Sequence, residues 1–296
     1  MKVLCFGSLN IDYVYSVDQF VRKGETISSN SLEVFAGGKG LNQSIALGKA
    51  GASVFHAGII GEDGAFLKEM LGDAGVDTRF VEVSSDIRTG NAIIQRDCKG
   101  ENGIILYGGS NYAVTKEMAD KVFSLFEAGD YLLVQNEINE IPYIVEKAYE
   151  KEMKVVLNPS PFNEKIFQID LAHVDCFILN EIEAQQMIND WADKNTIITM
   201  LREKYPKAEF VLTLGEKGSV YFRKEGIVEQ KAHRVKTVDT TAAGDTFTGY
   251  YIAGLLQGMA IEESLGMAAK ASAIAVSRKG ASRSIPFKEE VLRFEE

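Results

Sequence analysis

The chain has 296 residues, of which 46% are hydrophobic and 25% are charged, and its formal net charge is −10. This composition is that of a globular protein with a sizeable core and argues against a disordered chain. The acidic balance argues against a general nucleic-acid surface, which would carry a basic stripe. Cys5, Cys98 and Cys176 are far apart and odd in number, so we expect free thiols.

The N-terminal segment MKVLCFGSLNID predicts a buried first strand, since it lacks the small-residue cleavage pattern of a secretory signal. No apolar run approaches the ~18–20 residues that a bilayer-spanning helix needs. We therefore expect a cytoplasmic protein.

Short apolar runs alternate with longer segments of helical periodicity along the chain. Buried strands are predicted where the runs end in Gly, Asn or Pro, at residues 2–7, 54–60, 131–135, 155–158, 176–179 and 210–214. Helices are predicted at residues 40–50, 64–74, 116–127, 141–151, 181–189, 195–204, 246–257 and 261–278. This alternation predicts an α/β fold with a mainly parallel sheet and helices on both faces.

Two segments interrupt the alternation, at residues 11–35 and 88–112. Both have the half-polar, period-two pattern of exposed strands. We expect them to form one small sheet that acts as a lid or a dimer face. The chain is then a single domain, residues 1–296, with the lid strands inserted.

The motif GSLNID at residues 7–12 follows the first predicted strand. Ligands bind at the carboxyl ends of strands in open α/β sheets. Asn10 and Asp12 would face the same side of an extended segment and could hold vicinal hydroxyls. Ordinary turn chemistry is the alternative, because Asn and Asp supply it routinely.

The motif FAGGKGLNQ places three glycines around Lys39 and Asn42 on the first turn of a helix. Glycines let a ligand approach the main chain closely, and Asn42 offers both a donor and an acceptor. The pattern is not a phosphate loop of the GxxxxGK[ST] type. A glycine-rich hinge is the alternative.

Three further motifs follow predicted strands. Glu137 follows YLLVQN, and Asn180 and Glu183 lie three apart in NEIE, on one helix face, where an amide and a carboxylate suit Mg²⁺. A surface carboxylate and a helix cap are the respective alternatives. The motif TLGEKGS at residues 213–219 indicates either a hairpin or a nucleotide-contacting loop.

The motif VDTTAAGDTFTG places Asp245 at a helix start behind residues with very small side chains. Free amides at a helix start attract anions, and a carboxylate beside an anion is explained if it accepts a proton. Phosphoryl transfer needs these parts: a base, an anion-binding main chain, a metal and groups that position an acceptor hydroxyl. No HExxH, paired CxxC or GxSxG pattern supports a metalloprotease, a zinc module or a serine hydrolase.

GGKGLNQ near residue 40 together with DTTAAGDTFTG near residue 245 resembles the ribokinase (PfkB) family of carbohydrate kinases. The likeness continues through GSLNID, IIGEDG, LNPSP, LNEIEA, TLGEKG and AIAVSRKGASRSIP. The resemblance implies a ribokinase-like three-layer fold with a β-sheet lid and ATP-dependent phosphorylation of a sugar, with ribose as the first candidate. It also implies Mg²⁺, K⁺ and a homodimer formed through the lid.

Site residues are implied by the same resemblance, with Asp245 as the catalytic base. Sugar contacts are implied at Asn10, Asp12, Gly38, Lys39, Asn42, Glu137 and Asp245. ATP contacts are implied at Asn180, Thr213, Gly215 and Gly244, and an anion hole at Ala242, Ala243 and Gly244. Mg²⁺ would be held by Asn180 and Glu183, and K⁺ near Asp239, Thr241, Ala275, Arg278, Gly280 and Ser284.

Alternatives within the family are kinases for another sugar, a sugar acid or a nucleoside. Leu41, where ribose kinases usually carry Ala, and the run QNEIN near Glu137 are the departures that bear on the substrate. The alternative outside enzymes is a silent sugar or nucleotide sensor. The intact Asp245 and the small residues before it favour an enzyme.

Overall fold

The computed structural model describes residues 1–295. This part of the chain contains thirteen strands and nine α-helices. The strands are β1 (Val3–Phe6), β2 (Asn10–Ser16), β3 (Ser31–Gly37), β4 (Val54–Gly61), β5 (Asp77–Ser84), β6 (Gly90–Arg96), β7 (Asn102–Tyr107), β8 (Tyr131–Gln135), β9 (Lys154–Asn158), β10 (Cys176–Asn180), β11 (Glu209–Thr213), β12 (Ser219–Phe222) and β13 (Ile227–Gln230). The helices are α1 (Lys39–Lys49), α2 (Ala65–Asp73), α3 (Lys116–Phe123), α4 (Ile141–Glu150), α5 (Glu181–Ile188), α6 (Lys194–Lys204), α7 (Ala243–Leu256), α8 (Ile261–Val276) and α9 (Lys288–Leu292).

Nine of the strands form one central sheet in the order β13-β12-β11-β10-β9-β8-β1-β4-β5. Every neighbouring pair from β11 to β5 is parallel, and only β12 runs in the opposite direction, pairing antiparallel with both β11 and the edge strand β13. The predicted mainly parallel α/β sheet is therefore confirmed.

Alternate residues of the central strands enter two separate cores, one on each face of the sheet. In β1, Leu4 and Phe6 pack with helices α3 to α6, whereas Val3 and Cys5 pack with α1, α2, α7 and α8. Successive side chains of a strand point to opposite faces, so a strand buried on both faces is apolar at every position. The layers are helix, sheet and helix, as predicted.

The two inserted segments form a separate four-stranded sheet in the order β3-β2-β6-β7, which we call the lid sheet. β2 and β6 are parallel, with Asn10 opposite Gly90. Both segments thus contribute to one sheet. Several of its large apolar side chains are exposed: Leu32, Val34, Ile93, Ile104, Ile105 and Leu106.

Four elements were not predicted, namely β5, β12, β13 and α9. β5 and β13 carry polar residues at exposed positions, and the other two have only four or five residues, so none shows a long apolar run. TLGEKGS turned out to be a hairpin, because β11 and β12 pair antiparallel across it. α3 ends at Phe123, earlier than predicted, and α7 begins at Ala243, also earlier than predicted.

Within residues 1–295, none of the helices combines the length and the apolar character that a membrane crossing needs.

Candidate active site

A cavity of about 230 Å³ lies at the carboxyl ends of the central strands, where open α/β sheets bind ligands. Residues from four separate sequence motifs line it together: Lys39, Asn180, Glu183, Thr213, Ala242, Ala243, Gly244 and Asp245. Asn158, Thr240 and Thr248 also line it and were not predicted. Gly215 is not among the lining residues and lies in the turn between β11 and β12 with φ of 58°.

Asp245 lies in the first turn of α7 and is 8% exposed. Both of its carboxylate oxygens accept hydrogen bonds from side-chain amides of α1. Asn42 Nδ2 donates to Oδ2 at 3.0 Å, and Gln43 Nε2 donates to Oδ1 at 2.9 Å. The carboxylate therefore serves as an acceptor for another helix and does not cap its own.

The small residues before Asp245 shape the start of α7. Ala242 has the left-handed conformation, with φ of 60°, and the Ala243 amide donates to the Thr240 carbonyl at 3.2 Å. A Cβ added at Gly244 would meet no protein atom within 4 Å. The cavity therefore reaches the main chain at Gly244 directly, as an anion-binding helix start requires.

Lys39 is surrounded by carboxylates from three parts of the chain. Burial lowers the pKa of Lys39, but the charges of Asp245, Glu137 and Glu183 outweigh it and raise that pKa above its ordinary value. The ammonium group therefore remains charged where the three acidic groups converge. Such a cation suits a negatively charged substrate group.

Glu137 joins the GSLNID and GGKGLNQ motifs. Its Oε2 accepts from the Lys39 amide at 2.8 Å and from the Ser8 hydroxyl. Burial raises the pKa of Glu137, against these hydrogen bonds. Burial also raises the pKa of Asp12 to about 7, and the charge of Glu137 adds to this shift. The two carboxyl groups are thus electrostatic neighbours on the lid side of the site.

Asn10 is buried and its Oδ1 accepts from Asn111 Nδ2 at 2.7 Å, while Asn111 Oδ1 accepts from the Leu9 amide at 3.0 Å. Asn111, which no sequence motif indicated, therefore orients Asn10. Asn42 Oδ1 is buried and has no partner among the described residues. It is an acceptor still available to a ligand hydroxyl.

Two of the glycines around Lys39 have a different role from the expected one. A Cβ at Gly40 would lie 2.4 Å from the Ser8 amide nitrogen and 2.5 Å from the Gly7 carbonyl carbon. Gly38 has φ of 95° and lies against Ser8 as well. At these positions the absence of a side chain makes room for the β1–β2 connection. Leu41 is fully buried in the core and does not line the cavity.

Asn180 and Glu183 form the helix cap that was the alternative to a Mg²⁺ site. Asn180 Oδ1 accepts from the Glu183 amide at 2.9 Å, and Glu183 Oε2 accepts from the Asn180 amide at 3.1 Å. Within residues 1–295, no group of three or more His, Cys, Asp or Glu could hold a metal by itself. The second oxygen of Glu183 fits an ion that keeps several waters and binds substrate phosphates, as Mg²⁺ does.

Of the residues implied for K⁺, Ala275 lies in the last turn of α8, and the others lie on the loop before α7 and the loop after α8. Asp239 Oδ1 accepts from the amide and hydroxyl of Thr241 at 2.9 and 2.6 Å, and its Oδ2 accepts from the Gly280 amide at 3.1 Å. Burial raises the pKa of Asp239, but these hydrogen bonds outweigh it and lower the pKa below its ordinary value.

The remaining residues of that set are engaged locally. The Ala275 carbonyl accepts from the Arg278 amide at 3.1 Å, and the Ser284 hydroxyl donates to the Ala281 carbonyl at 2.8 Å. Arg278 pairs with Glu290 at 2.5 Å, while Asp239 caps the turn at Thr241. A carboxylate amid loop carbonyls is a donor set that fits a large, weakly hydrated cation.

Three buried side-chain amides near Asp245 were not predicted from the sequence: Gln43, Gln135 and Asn158. Each falls inside or next to a motif that was singled out, GGKGLNQ, YLLVQN or LNPSP. A polar residue at the end of an otherwise apolar strand was the available signal for Gln135 and Asn158.

Comparison with known proteins gives one consistent result. The family model described as pfkB family carbohydrate kinase matches residues 1–288. The ribokinase of Haemophilus influenzae is 33% identical over 295 residues, 97% of this chain and 96% of that protein. The ribokinase of Cryptococcus neoformans in complex with ADP is similar with a TM-score of 0.89, 32% identity and 98% of both chains covered. The ribokinase of Arabidopsis thaliana complexed with ribose and ATP has a TM-score of 0.87, with 28% identity and 99% of both chains covered.

Proposed function

The chain belongs to the PfkB family of carbohydrate kinases, and from that premise we propose that it transfers the terminal phosphoryl group of ATP to ribose, giving ribose 5-phosphate and ADP. As a member of this family it is a phosphotransferase that acts on a sugar hydroxyl. The proposed transfer from ATP to ribose depends mainly on one observation: the buried carboxylate of Asp245 lies at the start of α7 and lines the same cavity as Lys39. Relatives named ribokinase, one of them complexed with ribose and ATP, support ribose as the acceptor.

The proposed chemistry is an in-line displacement. Asp245 takes the proton of the acceptor hydroxyl, the hydroxyl oxygen forms a bond to the terminal phosphorus, and the bond from that phosphorus to the bridging oxygen of ADP breaks. The main-chain amides of Ala242 and Gly244 stabilise the charge on the transferring group, whereas the Ala243 amide donates to the Thr240 carbonyl. Lys39 adds a positive charge beside the same cavity.

In this proposal the nucleotide would occupy the part of the cavity that Asn180 and Thr213 line. Glu183 would hold Mg²⁺ through its second carboxylate oxygen and intervening waters, with Asn180 fixing Glu183 through the cap. The ion would neutralise charge on the ATP phosphates. The protein itself orients the acceptor and the base.

We expect ribose to exceed 2-deoxyribose in kcat/KM. Asn10, Asp12, Asn42 and Glu137 offer hydrogen-bonding groups to the sugar, and Asn42 Oδ1 is a buried acceptor without a partner. A missing sugar hydroxyl leaves such a partner unpaired at a cost of about 1–3 kcal/mol, roughly 5-fold to 150-fold in kcat/KM.

The measurement is ADP release with a panel of pentoses, hexoses, sugar acids and nucleosides at fixed ATP and Mg²⁺. Equal efficiency for ribose and 2-deoxyribose, or activity with hexoses alone, would contradict the ribose assignment. Activity with nucleosides alone would favour a nucleoside kinase. Binding without turnover for every compound would favour the sensor.

We also propose that K⁺ activates the enzyme from the loops around Asp239. A bound cation would hold the start of α7 in place through the 238–242 loop, because Asp239 and Ala242 lie in the same turn region. We expect kcat to rise several-fold when Na⁺ is exchanged for K⁺ at constant ionic strength, and we expect Asp239→Ala to abolish this rise. An identical kcat in the two salts would leave Asp239 as a residue that only links the two loops.

Three further proposals follow from the resemblance and the lid sheet: a homodimer, a single domain and a cytoplasmic location. The exposed apolar side chains of the lid sheet, such as Ile105 and Leu106, support its pairing with a second copy of the chain in a homodimer. The chain forms one domain with this lid. We also propose a cytoplasmic location, in keeping with a kinase that uses ATP.

A further inference from the structure

A chain of buried side-chain amides reaches Asp245 from three other elements. Gln43, on α1, donates from Nε2 to Asp245 Oδ1 at 2.9 Å and to Asn158 Oδ1, at the end of β9, at 3.1 Å. Gln43 Oε1 accepts from Gln135 Nε2, at the end of β8, at 2.8 Å. Gln43 is fully buried.

The donors and acceptors of these buried amides determine the orientation of the Gln43 side-chain amide. A primary amide has two N–H donors, and Gln43 uses one for Asp245 and one for Asn158. Turning the amide by 180° would place its oxygen against the carboxylate and against the oxygen of Asn158. Asn158 cannot turn to compensate without losing the bond from its own Nδ2 to the Ile178 carbonyl, at 2.8 Å. The Asn158 hydrogen bond therefore anchors this series of side-chain amides on the backbone of β10.

This arrangement fixes the plane of the Asp245 carboxylate. Oδ1 is held by Gln43 and Oδ2 by Asn42, so consecutive residues of α1 hold one oxygen each. Each oxygen keeps a further acceptor position.

We propose that Gln43 is a positioning residue for the phosphoryl-transfer reaction: it holds the Asp245 carboxylate in the orientation that a base needs, and Gln135 and Asn158 hold Gln43. This inference rests on the proposed role of Asp245 as the base. In the competing interpretation the three amides only satisfy one another's hydrogen bonds in the interior. Both interpretations predict a loss of stability on substitution, but only the first predicts a change in the chemical step.

The test uses two substitutions of Gln43 in the full chain. Gln43→Leu removes both donors at similar volume, and we expect kcat to fall by about 10-fold to 100-fold, because a misplaced reacting group costs this much. The KM values for ribose and for ATP should change little, since the Gln43 amide is fully buried and bonds only to groups of the protein. Gln43→Glu keeps the shape and places a second carboxyl group against Oδ1. Two carboxyl groups in contact resist joint ionisation, so the acid limb of the kcat–pH profile should move up by about one pH unit or more.

Gln257→Leu is the matched control, because Gln257 follows α7, the helix of Asp245, but bonds to the Ala50 carbonyl and to Lys288. It should retain the wild-type kcat and pH profile. If Gln43→Leu does not fold, the near-isosteric Gln43→Glu still decides the matter. An unshifted acid limb in Gln43→Glu with a wild-type kcat, alongside an inactive Asp245→Asn, would overturn the positioning role alone. A fully active Asp245→Asn would instead overturn the proposed base, and the positioning role with it.

Discussion

Replacing Asp245 by Asn is expected to lower kcat by about 10²-fold to 10⁴-fold, the usual cost of losing a general base. The amide has nearly the shape of the carboxylate but cannot take the proton of the acceptor hydroxyl. Binding of ATP should be largely retained, because Asn180 and Thr213, which line the nucleotide part of the cavity, are unchanged. The measurement is kcat across a pH series, together with the thermal midpoint of unfolding.

The variant is expected to fold because Asn42 can adapt to it. In the wild-type protein Asn42 donates to Asp245 through Nδ2, while its own Oδ1 is buried without a partner. Turning the Asn42 side chain by 180° would therefore present an acceptor to the new amide nitrogen and sacrifice no other bond of the Asn42 side chain. Gln43 could continue to donate to the remaining oxygen.

Asp193→Asn is the control for this experiment. Asp193 caps α6 through the amides of Asn195 and Thr196, and Asn caps helices equally well. Its kcat should equal that of the wild-type protein. A near-wild-type rate and an unchanged pH dependence in Asp245→Asn would reduce Asp245 to a structural residue that accepts hydrogen bonds from α1.

Replacing Gly40 by Ala is expected to destabilise the fold by about 3 kcal/mol or more, at the upper end of the cost of overpacking a core. The added Cβ would lie 2.4 Å from the Ser8 amide nitrogen and 2.6 Å from Gly7 Cα. Both are main-chain atoms, so no side-chain rotation relieves the contact. β1 and α1 would have to separate, which also displaces the Ser8–Glu137 and Asn42–Asp245 hydrogen bonds.

Urea unfolding at equilibrium measures the free energy of unfolding, and ADP release on the folded fraction measures the accompanying loss in kcat/KM. Gly72→Ala is the matched control, because Gly72 is exposed in α2 and a Cβ there meets nothing within 4 Å. Alanine exceeds glycine in helix propensity, so this variant should gain about 0.5–1 kcal/mol. Equal free energies of unfolding for the Gly40→Ala and wild-type proteins would contradict this prediction, because the β1–β2 connection could then move at little energetic cost.

The alternation of strands and helices was readable in the sequence because a strand buried on both faces must be apolar at every position. β1, with Val3 and Cys5 in one core and Leu4 and Phe6 in the other, is such a strand. Asp245 was readable as well, since an acid behind two alanines and a glycine at a helix start is a local pattern. The sheet formed by residues 11–35 and 88–112 followed from their period-two alternation.

Contacts between distant segments were decided only by the tertiary structure. Gln43 and Asp245 are 202 residues apart, and Gln135 and Gln43 are 92 apart, so no local pattern relates them. Gly40 illustrates the same limit, because its lack of a side chain suits a ligand and a neighbouring main chain equally well. Local propensity and periodicity report what a segment can form by itself. Which main chain fills the space beside a glycine, and which amide a buried carboxylate accepts from, depends on how the sheet brings the ends of its strands together.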